Sequence, residues 1–130
     1  MTGTLVAIRS LSKSFGEGAT RVDAVHGVDL DLEQGEVVLV MGPSGSGKTT
    51  LLTMLGGLQQ PSAGEIRVDG VDVAALNERQ LPPFRARRFG FIFQDFNLIA
   101  ALTARENVEV ALNLAGTRGD RAHERAQELL

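Results

Sequence analysis

The stretch from Val37 to Leu55 constrains this chain most, because an apolar run, a glycine-rich loop and a helical pattern follow one another there without a gap. Val37–Met41 contains no polar residue. A short run without alternation suits a strand buried on both faces, as in a parallel sheet. Gly42-Pro43-Ser44-Gly45-Ser46-Gly47-Lys48-Thr49 then follows the pattern G-x-x-x-x-G-K-[ST]. Thr50–Leu55 is apolar at helical spacing, with Leu51, Leu52 and Leu55 assigned to one side.

That order implies a chemistry. Gly42, Gly45 and Gly47 permit backbone angles and close approaches that side chains would block. Such a loop wraps its N–H groups around a phosphate, and the helix behind it points its positive N-terminus at the same place. Lys48 then reaches the β- and γ-phosphates, and the Thr49 hydroxyl ligates Mg²⁺. A plain glycine-rich turn is the competing reading. The strand before and the helix after supply the context the motif demands.

Composition narrows the classes further. With 130 residues, one domain is expected; 43% hydrophobic and 22% charged residues argue against disorder. A net charge of −3 gives no general attraction to nucleic acid or anionic lipid. The absence of cysteine excludes disulfides, thiol catalysis and Cys-based zinc sites, and fits a reducing compartment. No apolar run approaches the roughly 18 residues needed to span a bilayer, and the N-terminus lacks a signal-peptide pattern. A cytoplasmic location is expected, with docking onto a membrane protein left open. Arg121–Leu130 reads as an unfinished amphipathic helix with no Gly, Asn or Pro to close it, so a complete domain is expected to continue.

Taken in order, Leu5–Arg9 reads as a strand, and Leu11–Phe15 extends it or begins a turn. Phe15 reads as a core aromatic or as a flat face for a purine base. Val22–Val25 is a second strand. Val28–Glu33 alternates apolar and acidic, the period of a strand with one wet face. The helix after the loop ends near Gly56-Gly57. Glu65–Val68 and Val71–Val73 flank the Asp69-Gly70 turn. Asn77 caps a helix that Pro82 breaks, or else Pro83 starts a second one through Arg88. Arg85, Arg87 and Arg88 read as a solvated face. Phe89–Phe93 is a second apolar strand ending on Gln94, at the strand edge where ligands sit in open α/β sheets; an ordinary loop residue is the alternative. Thr103–Glu106 is a capping box. It starts a helix with Val108, Ala111, Leu112 and Ala115 on one face. A second helix follows, with Ala122, Ala126, Leu129 and Leu130 together.

An aromatic at Phe15, the Gly42–Thr49 loop, Gln94 after a buried strand and a helical segment beyond it lie in one order that resembles the ATP-binding subunit of an ABC transporter. The similarity covers essentially the whole chain but corresponds to the first half of that family's nucleotide-binding domain. Met41–Leu52, Leu55–Leu58, Phe84–Arg88, Phe91–Ile99 and Glu106–Glu109 look like the lipoprotein-release and macrolide-export type of bacterial ATPase. The resemblance implies an α/β fold: a P-loop NTPase core with a parallel sheet, an N-terminal antiparallel layer and the start of a helical subdomain, divided near residue 95. It implies that Phe15 stacks on adenine. It implies that Gly42, Pro43, Ser44, Gly45, Ser46, Gly47, Lys48, Thr49 and Thr50 hold ATP. It gives Gln94 contact with Mg²⁺ and the attacking water, and Lys48 and Gln94 the catalytic roles found here. Asp95–Arg105 takes the place where the family touches its transmembrane permease subunits, and a second ATP-binding subunit completes a dimer. The implied location is the cytoplasmic face of the cell membrane, with no nucleic-acid partner. A non-transport ABC ATPase in nucleic-acid repair or translation, and a nucleotide-binding fragment without catalysis, are the alternatives.

The departures are specific. The family's L-S-G-G-Q stretch is absent, as is the apolar strand ending in Asp-Glu that supplies the general base. Neither His26 nor His123 matches the switch histidine. Pro82-Pro83 interrupts a segment usually read as continuous helix. The 130 residues taken alone are therefore expected to bind nucleotide weakly and to turn over little ATP.

Overall fold

Two long antiparallel strands, β1 (Thr4–Phe15) and β2 (Val22–Glu33), organise the first of two compact units. The computed structural model describes residues 3–130, and the units divide between Leu81 and Pro82. Among the described residues the sheet runs β2-β1-β3-β4, with β3 at Ala63–Val68 and β4 at Val71–Asp72, and every pairing is antiparallel.

Ile8 and Leu11 are both fully buried although they stand three residues apart. A regular strand would send them to opposite faces. Ser10 resolves this with a β-bulge: its φ is +47°, the pairing with β2 slips between Ile8 and Leu11, and its amide donates to Asp29 Oδ1 at 2.8 Å. β3 crosses this bulge at Gly64, whose φ is +92°. A Cβ there would lie 2.4 Å from the Ser10 carbonyl oxygen and 2.6 Å from that of Arg9, so only glycine fits. The expected separate strands Val22–Val25 and Val28–Glu33 are one strand for the same kind of reason. Gly27, at φ +60°, donates its amide to Ser12 Oγ at 2.8 Å and shifts the alternation by one residue between Val25 and Val28. On the exposed side, the Arg9 guanidinium grips Asp31 with bonds of 2.7 and 3.0 Å. That hydrogen bond holds the Asp31 carboxyl below the usual carboxylate range and raises Arg9.

Helix α1 (Lys48–Leu55) contributes Met54 to the core of this unit, alongside Ile8, Leu11 and Ile66. Leu52 does not share the covered face as expected. It follows Met54 backwards by two residues, about 200° around the helix, and is half exposed. Gly56 and Gly57 close the helix by donating to the Leu52 and Met54 carbonyls respectively, as their place in the sequence suggests.

The apolar run Val37–Met41 does not form the expected buried strand. Val37, Leu39 and Met41 are exposed, and no ladder includes them among the described residues. A parallel strand exists only when neighbours take its backbone groups, and apolarity alone does not provide them.

The second unit holds most of α2 (Leu81–Arg88), α3 (Ala104–Leu114) and α4 (Asp120–Leu129). Pro82 and Pro83 occupy the first turn of α2, where a missing N–H costs no helical bond; they start the helix and do not break it. Phe89–Phe93 likewise forms no ladder strand. It still alternates: the rings of Phe89, Phe91 and Phe93 follow one another at 6.1 and 5.7 Å, while Ile92 is wholly exposed. The capping box at Thr103 and Glu106 forms as expected. Ala122 and Ala126 are the buried residues of α4, whereas Leu129 and Leu130 are exposed. His123 Nδ1 lies 3.0 Å from Glu109 Oε1 on α3.

Gly64→Ala is expected to lose at least about 2 kcal/mol in urea unfolding, because the new methyl meets two carbonyls as well as an unfavourable φ. Gly18→Ala, at φ +55° in open space, is expected to lose about 1 kcal/mol. Equal losses would show that the close crossing at the bulge is unimportant.

Candidate functional site

The glycine-rich loop is anchored to the sheet at one point. Gly47, at φ +92°, lies so close to β2 that a Cβ would sit 2.1 Å from the Ala24 carbonyl oxygen. No residue but glycine enters α1 by this route. Gly42 packs against the other limb of the loop, where a Cβ would come within 2.7 Å of Ser46 Oγ. Gly45 takes φ +82°, and the Ser46 amide donates to the Pro43 carbonyl at 3.1 Å to close the turn.

Lys48 laces the loop together. Its ammonium donates to the carbonyls of Gly42 and, at 2.8 Å, Pro43, with Ser46 Oγ at 3.3 Å. A cation is thereby held over the loop by the residues that begin it, and its long side chain loses freedom it would otherwise keep. Behind it, the Leu51 amide donates to the Gly47 carbonyl at 2.9 Å and starts the helical ladder. No acceptor among the described residues takes the amides of Gly45, Gly47, Lys48, Thr49 or Thr50. Amides at the start of a helix have no intrahelical partner, and α1 has no side-chain cap to replace one. Loop donors, the positive helix end and a tethered ammonium converge on one exposed spot. Such a spot attracts an anion with several oxygens.

Phe15 reaches this neighbourhood through the sheet. It pairs with Val22, two residues along β2 from Ala24, the residue beneath Gly47. Two strand residues and one step between strands place it on the order of 10 Å from the head of α1. Its ring is 41% exposed, and the Lys13 ammonium stands over it at 5.3 Å while donating to the Gln60 carbonyl at 2.7 Å. Gln94 belongs to the second unit and is exposed, at the start of a turn in which the Phe96 amide donates to the Phe93 carbonyl. The structure thus brings Gly42–Thr50 together and sets Phe15 beside them through β2.

Two contributors escaped the sequence reading. Ala24 acts through its carbonyl, and no side-chain pattern marks it. Lys13 was detectable in principle, since it shares a strand face with Phe15 at a spacing of two.

Against known proteins, a family model described as ABC transporter matches residues 25–130. The macrolide export ATP-binding/permease protein MacB of Marinobacter nauticus is 48% identical over 126 residues, which are 97% of this chain and 20% of that protein. The lipoprotein-releasing system ATP-binding protein LolD of Bacteroides thetaiotaomicron is 40% identical over 126 residues, 97% of this chain and 56% of that protein. Among solved structures, a dimeric ATP-binding cassette in a post-hydrolysis state, bound to ADP and Pi, is similar with a TM-score of 0.87 and 38% identity, covering 95% of this chain and 54% of that one. The chain therefore spans between a fifth and just over half of the length of these relatives.

Lys48→Ala removes the cation that holds the Gly42 and Pro43 carbonyls. Exchange of the Ser46 amide, which donates to the Pro43 carbonyl, is expected to speed up at least about tenfold, with β1 and β3 unchanged. Unaltered exchange in the loop would show that the glycines shape it without the lysine.

Proposed function

The chain belongs to the ABC transporter family, and from that membership we propose that the full-length protein binds Mg·ATP at the Gly42–Thr50 cradle and hydrolyses it to power a membrane transporter. The observation that carries this reading is the cradle itself: an anchored glycine loop with free amides, a tethered Lys48 and the positive end of α1 at one exposed spot.

The residues fit the ligand. A polyphosphate supplies the acceptors that the amides of Gly45, Gly47, Lys48, Thr49 and Thr50 lack, and Lys48 exchanges loop carbonyls for phosphate oxygens without changing its anchor. The pyrophosphate end and the base of ATP need grips separated by about the span from the loop to Phe15, whose exposed ring stacks on adenine opposite the Lys13 ammonium. The Thr49 hydroxyl, exposed on the first turn of α1, is a hard oxygen donor of the kind Mg²⁺ takes alongside phosphates. Mg²⁺ held there would neutralise charge on the transferred phosphoryl group. By its place in the family's pattern, Gln94 would be the residue that meets the metal and the attacking water. Lys48 stabilises the phosphate oxygens through the reaction, a contribution of position and charge.

Two copies of the domain would close on two ATP molecules, as the relative solved as a dimer suggests. The relatives are named for macrolide export and lipoprotein release, and one of them joins ATP-binding and permease functions in one polypeptide. On that ground we place this protein beneath a membrane subunit, docked through Asp95–Arg105. Among the described residues no helix is long and apolar enough to cross a membrane.

Equilibrium binding to the full-length protein tests the cradle. Lys48→Ala is expected to weaken Mg·ATP binding by on the order of 10². Phe15→Ala is expected to weaken it by about 5- to 100-fold while leaving inorganic triphosphate binding unchanged. Equal affinity in the Lys48 variant would refute the phosphate assignment. Equal losses for ATP and triphosphate in the Phe15 variant would refute the adenine assignment.

A further inference from the structure

One side chain fastens the loop that precedes α3. Asn107 lies in the first turn of that helix, and its carboxamide is directed back onto the chain. Oδ1 accepts from the Ile99 amide at 2.7 Å. Nδ2 donates to the carbonyls of Ile99 at 3.1 Å, Thr103 at 2.9 Å and Leu102 at 3.3 Å. Ile99 is thus paired through both of its backbone polar groups, as a neighbouring strand would pair it. The orientation of the carboxamide is fixed by its partners, because the reverse would set an oxygen against three carbonyls.

The fastened loop has an unusual outer side. Phe96 and Asn97 both adopt left-handed backbone, at φ +59° and +54°, which asparagine tolerates and phenylalanine avoids. Phe96 and Leu98 are 80% and 70% exposed, and Ile99 is 46% exposed. The loop therefore turns apolar side chains outward while Asn107 and the Thr103–Glu106 box hold its backbone from behind. Solvated backbone of this kind would lose its shape without a local partner.

We propose that Asn107 is a positioning residue for energy coupling: it holds Ile99–Thr103 in the shape against which the membrane subunit docks. The proposal rests on the transporter reading above. The same bonds could serve only to start α3, and that structural role makes different predictions.

The test uses the full-length protein reconstituted with its membrane subunit in lipid vesicles. Asn107→Ala removes all four bonds. Asn107→Asp keeps the acceptor for the Ile99 amide but sets an oxygen against the three carbonyls. Glu106→Ala weakens the start of α3 without touching Ile99. Both Asn107 variants are expected to lose about tenfold in stimulation of ATPase activity by the membrane subunit. Their KM for ATP and unstimulated rate are expected to stay within about twofold of wild type. Exchange at the Ile99 amide is expected to rise about tenfold in Asn107→Ala, with β1 unchanged as evidence of folding. Glu106→Ala is expected to lower Tm and keep the stimulation. Full stimulation in either Asn107 variant would overturn the proposal, as would unchanged exchange at Ile99 or an equal loss in Glu106→Ala. If the wild-type protein shows no stimulation by the membrane subunit, the transporter reading itself fails, and that outcome is separate from any result with the variants.

Discussion

A single backbone oxygen decides where the glycine-rich loop can lie. The Ala24 carbonyl on β2 stands where any side chain at position 47 would be, so the chain enters α1 in a left-handed turn that glycine alone accepts. From that contact the direction of α1 follows, and with it the direction of its free amides. Lys48, the first residue of the helix, can then reach back to the carbonyls of Gly42 and Pro43. The β1–β2 pair gives the contact its rigidity. It is long, shifted in register at several points and filled on one face by Ile8, Leu11 and Val25. The same pair carries Phe15, so the two proposed grips on a nucleotide share one stiff support.

How much of this was legible depends on whether a signal was local. The loop glycines, the capping box of α3 and the helix stop at Gly56 all act within a few residues, and the sequence names them directly. The bulges at Ser10 and Gly27 did not show, because a one-residue slip in a strand leaves composition unaltered and only changes which side each residue faces. That is why one long strand looked like two. Leu52 was misplaced for a related reason: the apolar spacing of α1 fits several stripes, and only the sheet decides that Met54 points inward. The proline pair left two readings open because its effect depends on position, breaking a helix in the middle and favouring it at the start; the second, a short helix through Arg88, is the one that forms.

The two apolar runs show the limit of local reading most clearly. Val37–Met41 and Phe89–Phe93 have the composition of buried parallel strands, yet neither takes part in a ladder among the described residues. Composition states what a segment tolerates, whereas pairing requires a neighbour with free backbone groups. Likeness to complete ATP-binding cassettes, at a TM-score of 0.87, places the chain in that α/β class even though the ladder it forms itself is antiparallel.

The central claim is that main-chain amides at the head of α1, together with one ammonium, grip the end of a nucleoside triphosphate. A crystal structure of the full-length protein with Mg²⁺ and a non-hydrolysable ATP analogue tests it directly. The account predicts β- and γ-phosphate oxygens within hydrogen-bonding distance of the Gly45, Gly47, Lys48 and Thr49 amides and of Lys48 Nζ. Phosphates bound elsewhere, with Lys48 still holding only the Gly42 and Pro43 carbonyls, would contradict it.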